Sequence, residues 1–147
     1  MKRVAIVTGG GSGLGYCLSE ELLKHGMDVF IIGRNEKKLR EAQIKLNKGY
    51  GDKIHYLVGD ISNEVFVKKV YSDLEQDNYY VQYLFNCAGT GRFGPAEENN
   101  REIIDVAFNA SLIGLILMSS NAIKSMKEDG GTIINIMSTA ALKGNPN

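Results

Sequence analysis

Cysteine is scarce in this chain of 147 residues: only Cys17 and Cys87 occur, with neither a Cys-x-x-Cys pair nor a dense framework around them. Two such residues read as buried free thiols of a protein kept in a reducing compartment, which points to the cytoplasm. Net charge is also missing, since Lys plus Arg and Asp plus Glu each total 17, and no basic run exceeds two residues. Nucleic acid is therefore not an expected partner. The opening MKRVAIV is too short in apolar residues for a signal peptide. Residues 112–118 are apolar apart from Gly114, but Asp105, Asn109 and Asn121 interrupt any span of the ~20 residues that a membrane helix needs. The stretch reads as a buried helix, with no membrane partner. His25 and His55 belong to no Cys/His cluster, so no metal site is expected; His25 is placed at a helix end and His55 inside a strand. Internal repeats and low-complexity segments are absent.

Against these absences stands residues 4–15, VAIVTGGGSGLG. Four apolar residues suit a short buried strand, and the glycines that follow suit a tight turn into a helix whose first N–H groups can receive an anion. Leu14, Leu18 and Leu22 then recur at helical spacing as far as Gly26. A second strand is expected over residues 28–32, closed by Gly33-Arg34. A helix capped by Asn35 follows, with Leu39, Ala42 and Leu46 on one face and Gly49 and Gly51 at its end. Residues 54–58 form a third strand, ending at Gly59-Asp60. Ser62 is the expected cap of a helix whose inner face holds Phe66, Val67, Val70 and Leu74. Residues 80–85 form a fourth strand, followed by a glycine-rich loop containing Pro95, one long helix over about 101–127, and a fifth strand over 132–136.

Strands and helices alternating at about thirty-residue intervals predict one domain over residues 1–147, α/β in class, a doubly wound, Rossmann-like parallel sheet of five strands with helices on both faces. Ligands of such sheets sit at the carboxyl ends of the strands. Residues 8–15, Gly33-Arg34, Asp60, residues 86–89 and Ser138 are all strand ends, so they are expected to converge. The glycine turn directly after the first strand, inside a complete strand-helix-strand unit, points to a dinucleotide. No Lys-Ser or Lys-Thr follows the glycines, which argues against a triphosphate loop.

Thr8-Gly9-Gly10-Gly11-Ser12-Gly13-Leu14-Gly15 resembles the TGxxxGxG cofactor motif of the short-chain dehydrogenase/reductase family. Residues 85–89, FNCAG, resemble its NNAG motif with Cys87 in place of the second Asn; Asp60, with Ile61 beside it, resembles the acidic position that contacts adenine. Asn109 in FNASLIG and Ser138 at the end of GTIINIMS resemble two catalytic positions. The resemblance implies an NAD(P)-dependent oxidoreductase acting on a small-molecule carbonyl/alcohol substrate. Gly9, Gly11, Ser12, Gly13, Leu14, Gly15, Arg34, Asp60, Ile61, Asn86, Ala88 and Gly89 would bind cofactor. Ser138 would hydrogen-bond the substrate oxygen, and Asn109 would hold a water in a proton relay.

Arg34 at the end of the second strand, with Lys37 and Lys38 nearby, favours the 2′-phosphate of NADP(H) over NAD(H), although Ser12 stands where the family has a second basic residue. The family's proton donor, a Tyr with Lys four residues on, is absent. The seven tyrosines are followed at that spacing by Glu20, Ile54, Asp60, Glu75, Tyr83, Leu84 and Cys87. The chain therefore reads as an amino-terminal segment, inactive alone; the alternative is a non-catalytic dinucleotide-binding module or cofactor sensor. Phe108, Leu112, Leu115, Ile116 and Ile123 make the long helix apolar nearly all round, so a homo-oligomer through the helix containing Asn109 is expected.

Overall fold

The structure, a computed structural model, describes residues 1–90, 94–139 and 142. Five strands form one sheet: β1 (Lys2–Thr8), β2 (Asp28–Gly33), β3 (Ile54–Val58), β4 (Tyr79–Asn86) and β5 (Thr132–Asn135). All neighbours are parallel, in the order β3-β2-β1-β4-β5. The strands are continuous apolar runs rather than alternating ones, because helices cover both faces. On one face α1 (Gly13–Lys24) and α2 (Glu36–Tyr50) pack Leu23, Leu39, Ala42 and Leu46 against Val7, Val29, Ile31 and Ile54. On the other, α3 (Glu64–Gln76) and α5 (Gly114–Ser125) pack Val67, Val70, Leu74, Met118 and Ala122 against Val4, Ile6, Ile32 and Leu84. The expected doubly wound, Rossmann-like sheet is thus observed, and its order reverses between β1 and β4.

Several local expectations are corrected. The buried stripe of α1 is Gly15, Ser19 and Leu23, one residue round from Leu14, Leu18 and Leu22; Leu14 is 55% exposed. The helix approaches the sheet so closely at its start that glycine and serine, not leucine, must face inward. Asn63 rather than Ser62 caps α3, its side chain accepting from Phe66 N at 3.1 Å, because Ser62 is engaged by Asp60. Asn35 caps α2 as expected, with Lys38 N at 3.0 Å. Gly49 lies within α2 instead of ending it, and Gly51, in the left-handed region at φ 72°, closes it. His25 caps the carboxyl end of α1.

The long helix is the largest difference. It runs from α4 (Arg101–Phe108) through a π turn (Asn109–Ile113) into α5, with Gly114 N–H donating to the Asn109 carbonyl five residues back. No hydrophobic period announces such a turn, since inserting one residue leaves the sequence apolar on either side. The helix is long and apolar enough to cross a membrane by length and composition, yet one stripe, Gly114, Met118 and Ala122, is buried within the fold. Within the stretch 112–118, expected to be buried, Leu112 and Ile116 are 43% and 48% exposed; Phe108 and Ile123 on either side are 56% and 57% exposed. Cys17 is also exposed rather than buried, and Cys87 is half-buried; both are free thiols. Residues 91–93 of the glycine-rich loop, and most of those beyond Ser138, lie outside the described residues.

Candidate functional site

A cleft of about 330 Å³ opens at the carboxyl ends of β1–β4, lined on one side by Gly9, Ser12, Leu14 and Gly15. Ile32, Gly33, Arg34, Gly59, Asp60 and Ile61 form its β2–β3 end, and Cys87, Ala88, Gly89 and Ala110 its β4 end. Crossovers to opposite faces part the chain at the switch between β1 and β4 and leave this crevice above the strand ends.

The turn after β1 is shaped by contacts that only glycine permits. Gly9 takes φ 69°, and a Cβ on it would stand 3.0 Å from Ala88 Cα. A Cβ on Gly15 would stand 2.5 Å from the Gly9 carbonyl oxygen, so glycine here lets the start of α1 settle onto the turn. Gly10 is equally constrained by Ile31, at 2.4 Å from its imagined Cβ. Gly11 abuts Leu39, while Gly13, at φ 56°, faces open space. Ser12 is the N-cap of α1 but makes no side-chain cap bond, so the first N–H groups of the helix stay available beside the cleft. These are the features of an anion cradle.

Thr8 ties the turn to the β4 loop. Fully buried, its Oγ1 accepts from Cys87 N at 3.1 Å and Ala88 N at 3.0 Å. This role was not visible in the sequence, where Thr8 marked only the start of the glycine motif. Burial pushes the Cys87 thiol up to about 11, leaving it neutral at physiological pH.

At the β2–β3 end Arg34 is exposed and has no ion pair or hydrogen bond among the described residues. Asp60 Oδ1 accepts from Ser62 N at 2.9 Å and Ser62 Oγ at 2.8 Å, which holds the carboxylate at the rim. Ile61 is 7% exposed and seats against Gly114, where a Cβ would meet its Cγ1 at 2.4 Å. That contact presses the π-turn helix onto the cleft and accounts for Ala110 in its wall.

Five candidate residues are not part of the lining: Gly11 and Gly13 of the glycine turn, and Asn86, Asn109 and Ser138. Asn86 is buried, its Nδ2 donating to Ser119 Oγ at 3.0 Å and Asn135 Oδ1 at 2.9 Å, while its Oδ1 has no partner among the described residues. Its backbone carbonyl accepts from Ile136 N at 3.0 Å, so Asn86 joins β4, β5 and α5 beneath the site. Asn109 opens the π turn, exposed. Ser138 follows β5, also exposed. Ile32, Gly33, Gly59, Cys87 and Ala110 line the cleft without having been named as binding residues; for all but Ala110, which sits in the π turn, a position at a strand end was the available signal. Among the described residues no His/Cys/Asp/Glu group could hold a metal ion.

A family model described as short chain dehydrogenase matches residues 3–147. The chain is 30% identical over 143 residues to the peroxisomal 2,4-dienoyl-CoA reductase of Mus musculus, covering 97% of this chain and 49% of that protein. Among solved structures it is similar to a short chain dehydrogenase from Bacillus anthracis, with a TM-score of 0.90, 28% identity, and coverage of 98% of this chain and 60% of that one. It is also similar to the closed form of a serine dehydrogenase complexed with NADP+, with a TM-score of 0.85, 25% identity, and coverage of 97% and 56%. The chain thus spans about half to three-fifths of the length of the proteins it matches.

Proposed function

The chain belongs to the short-chain dehydrogenase/reductase family, and from that premise we propose that it binds NADP(H) in the cleft and serves oxidoreduction of a small carbonyl/alcohol substrate. The observation that carries the NADP(H) reading is Arg34, a guanidinium with no partner among the described residues at the cleft end of β2, where a 2′-phosphate would gain charge-assisted hydrogen bonds. The solved relative in complex with NADP+ is consistent with it.

The residues present fit a dinucleotide. The α1 N-terminus with Gly9, Ser12, Leu14 and Gly15 would hold the pyrophosphate, Asp60 and Ile61 the adenine end, and Ala88 and Gly89 the other half. When bound, the dinucleotide supplies or accepts the hydride. By resemblance, Ser138 hydrogen-bonds the substrate oxygen and Asn109 holds a water for proton transfer. Reducing a carbonyl also needs an acid at the developing alkoxide, and none of the seven tyrosines has Lys four residues on. These 147 residues alone are expected to bind cofactor without turnover. The same observation favours the second reading, a non-catalytic dinucleotide-binding module or cofactor sensor.

We also propose association of copies through the exposed apolar side of α4 and α5, and a cytoplasmic setting, which two unpaired thiols support. Calorimetric titration with NADPH and NADH tests cofactor choice: NADPH affinity no better than NADH affinity refutes the Arg34 argument. Turnover of the full gene product with a panel of ketones separates the two readings. Oxidation of NADPH establishes the enzyme, and tight binding without oxidation establishes the sensor.

A further inference from the structure

The π turn places beside Gly89 one polar side chain, Ser111, that no motif singled out and that is not itself part of the cleft lining. Ser111 Oγ lies 3.6 Å from the point that a Cβ on Gly89 would occupy, and Gly89 lines the β4 end of the cleft beside Ala110. A helical serine commonly returns its hydroxyl to a carbonyl of the preceding turn. Ser111 is exposed and forms no hydrogen bond among the described residues. Its neighbour Ala110 faces the cleft, and two residues along a helix are turned to nearly opposite sides, so Asn109 is directed well away from the Gly89 side on which Ser111 stands.

We propose that Ser111 is the residue through which the α4–α5 helix binds ligand, at the β4 end of the cleft, by a hydrogen bond to the nicotinamide half of the dinucleotide. This rests on the dinucleotide reading above. The sheet order sets Asp60 and Arg34 on β3 and β2 at one end, the glycine turn after β1 in the middle, and Gly89 after β4 at the other. A dinucleotide with its 2′-phosphate at Arg34 and its pyrophosphate at the turn therefore brings its other half to Gly89 and Ser111. A serine hydroxyl both donates and accepts, matching a carboxamide or a ribose hydroxyl.

The test uses two probes, NADPH and 2′,5′-ADP, the latter carrying only the adenosine half, titrated calorimetrically into the wild-type chain, Ser111→Ala and Ser111→Thr. Ser120→Ala, an exposed serine on α5, serves as the control. Ser111→Ala is expected to weaken NADPH about five-fold, the loss of one neutral hydrogen bond, with 2′,5′-ADP unchanged. Ser111→Thr should keep most of the NADPH affinity, and Ser120→Ala should match wild type with both probes. Equal NADPH affinity in wild type and Ser111→Ala overturns the assignment, as does an equal loss for 2′,5′-ADP. A wild-type chain that binds neither probe refutes the dinucleotide reading itself, and the assignment with it.

Discussion

Alanine at Gly15 and alanine at Gly49 are one covalent change made inside two helices, and the surroundings require opposite outcomes. In a helix interior the exchange is worth about 0.8–1.0 kcal/mol in backbone propensity. Gly49 is exposed in the last turn of α2, with nothing within 4 Å of its imagined Cβ, so Gly49→Ala should stabilise the fold by about 0.5 kcal/mol. At Gly15 the new methyl would stand 2.5 Å from the Gly9 carbonyl oxygen, 2.9 Å from Gly9 C and 3.1 Å from Gly10 Cα. These are backbone atoms and cannot rotate aside. To reach ordinary contact, α1 must withdraw by about 1 Å, and overpacking of this kind costs about 1–3 kcal/mol, which cancels or exceeds the helix gain.

For a chain of this size each kcal/mol moves Tm by about 2–4 °C. Gly49→Ala should therefore melt about 1–2 °C above wild type, and Gly15→Ala at or below it, by up to about 8 °C. The displaced turn should also weaken NADPH by about ten-fold or more, because the N–H groups of α1 leave their places, whereas Gly49→Ala should bind as wild type does. Thermal melts and calorimetric titration read both quantities. A Gly15→Ala variant that melts higher than wild type and keeps its NADPH affinity would refute the reasoning from the Gly9 contact.

Thr8→Val keeps the shape of a fully buried side chain but removes the acceptor of Cys87 N and Ala88 N. It should cost about 2–4 kcal/mol in urea unfolding, and a loss below about 0.5 kcal/mol would show that these N–H groups find other partners. His55, stacked on Phe30 with its Nε2 buried and unpartnered, has its pKa lowered mainly by desolvation, with Asp28, Lys2 and Asp52 as the charges around it. The unfolded chain therefore takes up the proton first, and stability should fall as pH drops below about 6.5 toward the lowered folded value. His55→Phe should flatten that fall between pH 7.5 and 5, and equal declines in Tm would contradict it. Ile116→Glu, placing a charge on the exposed side of α5, should shift the chain toward monomer in size-exclusion light scattering; a wild type that is already monomeric at micromolar concentration removes the basis for the oligomer.

The alternation of apolar runs with charged helical segments was enough to read the fold class, since parallel strands covered on both faces must be continuously apolar and are joined by right-handed helical crossovers; the strand order itself came only from the structure. The cleft was legible for a similar reason: Gly9, Ser12, Leu14, Gly15, Arg34, Asp60, Ala88 and Gly89 are local to strand ends, and strand ends converge at the switch point whatever the details of packing. Residues whose place depends on neighbours far along the chain were not legible. Nothing near Leu14 in sequence says that Gly9 will draw α1 down until Gly15 and Ser19 face inward. Ser62 looks as good a cap as Asn63 until Asp60 engages it. The π turn inserts its extra residue where Gly114 receives Ile61, and it leaves Ser111 rather than Asn109 on the Gly89 side. Sequence periodicity therefore determined the layers and the cofactor turn. Tertiary contact decided which faces pack inward and which polar atoms stand beside the cleft, because those depend on close approaches between elements that no local pattern encodes.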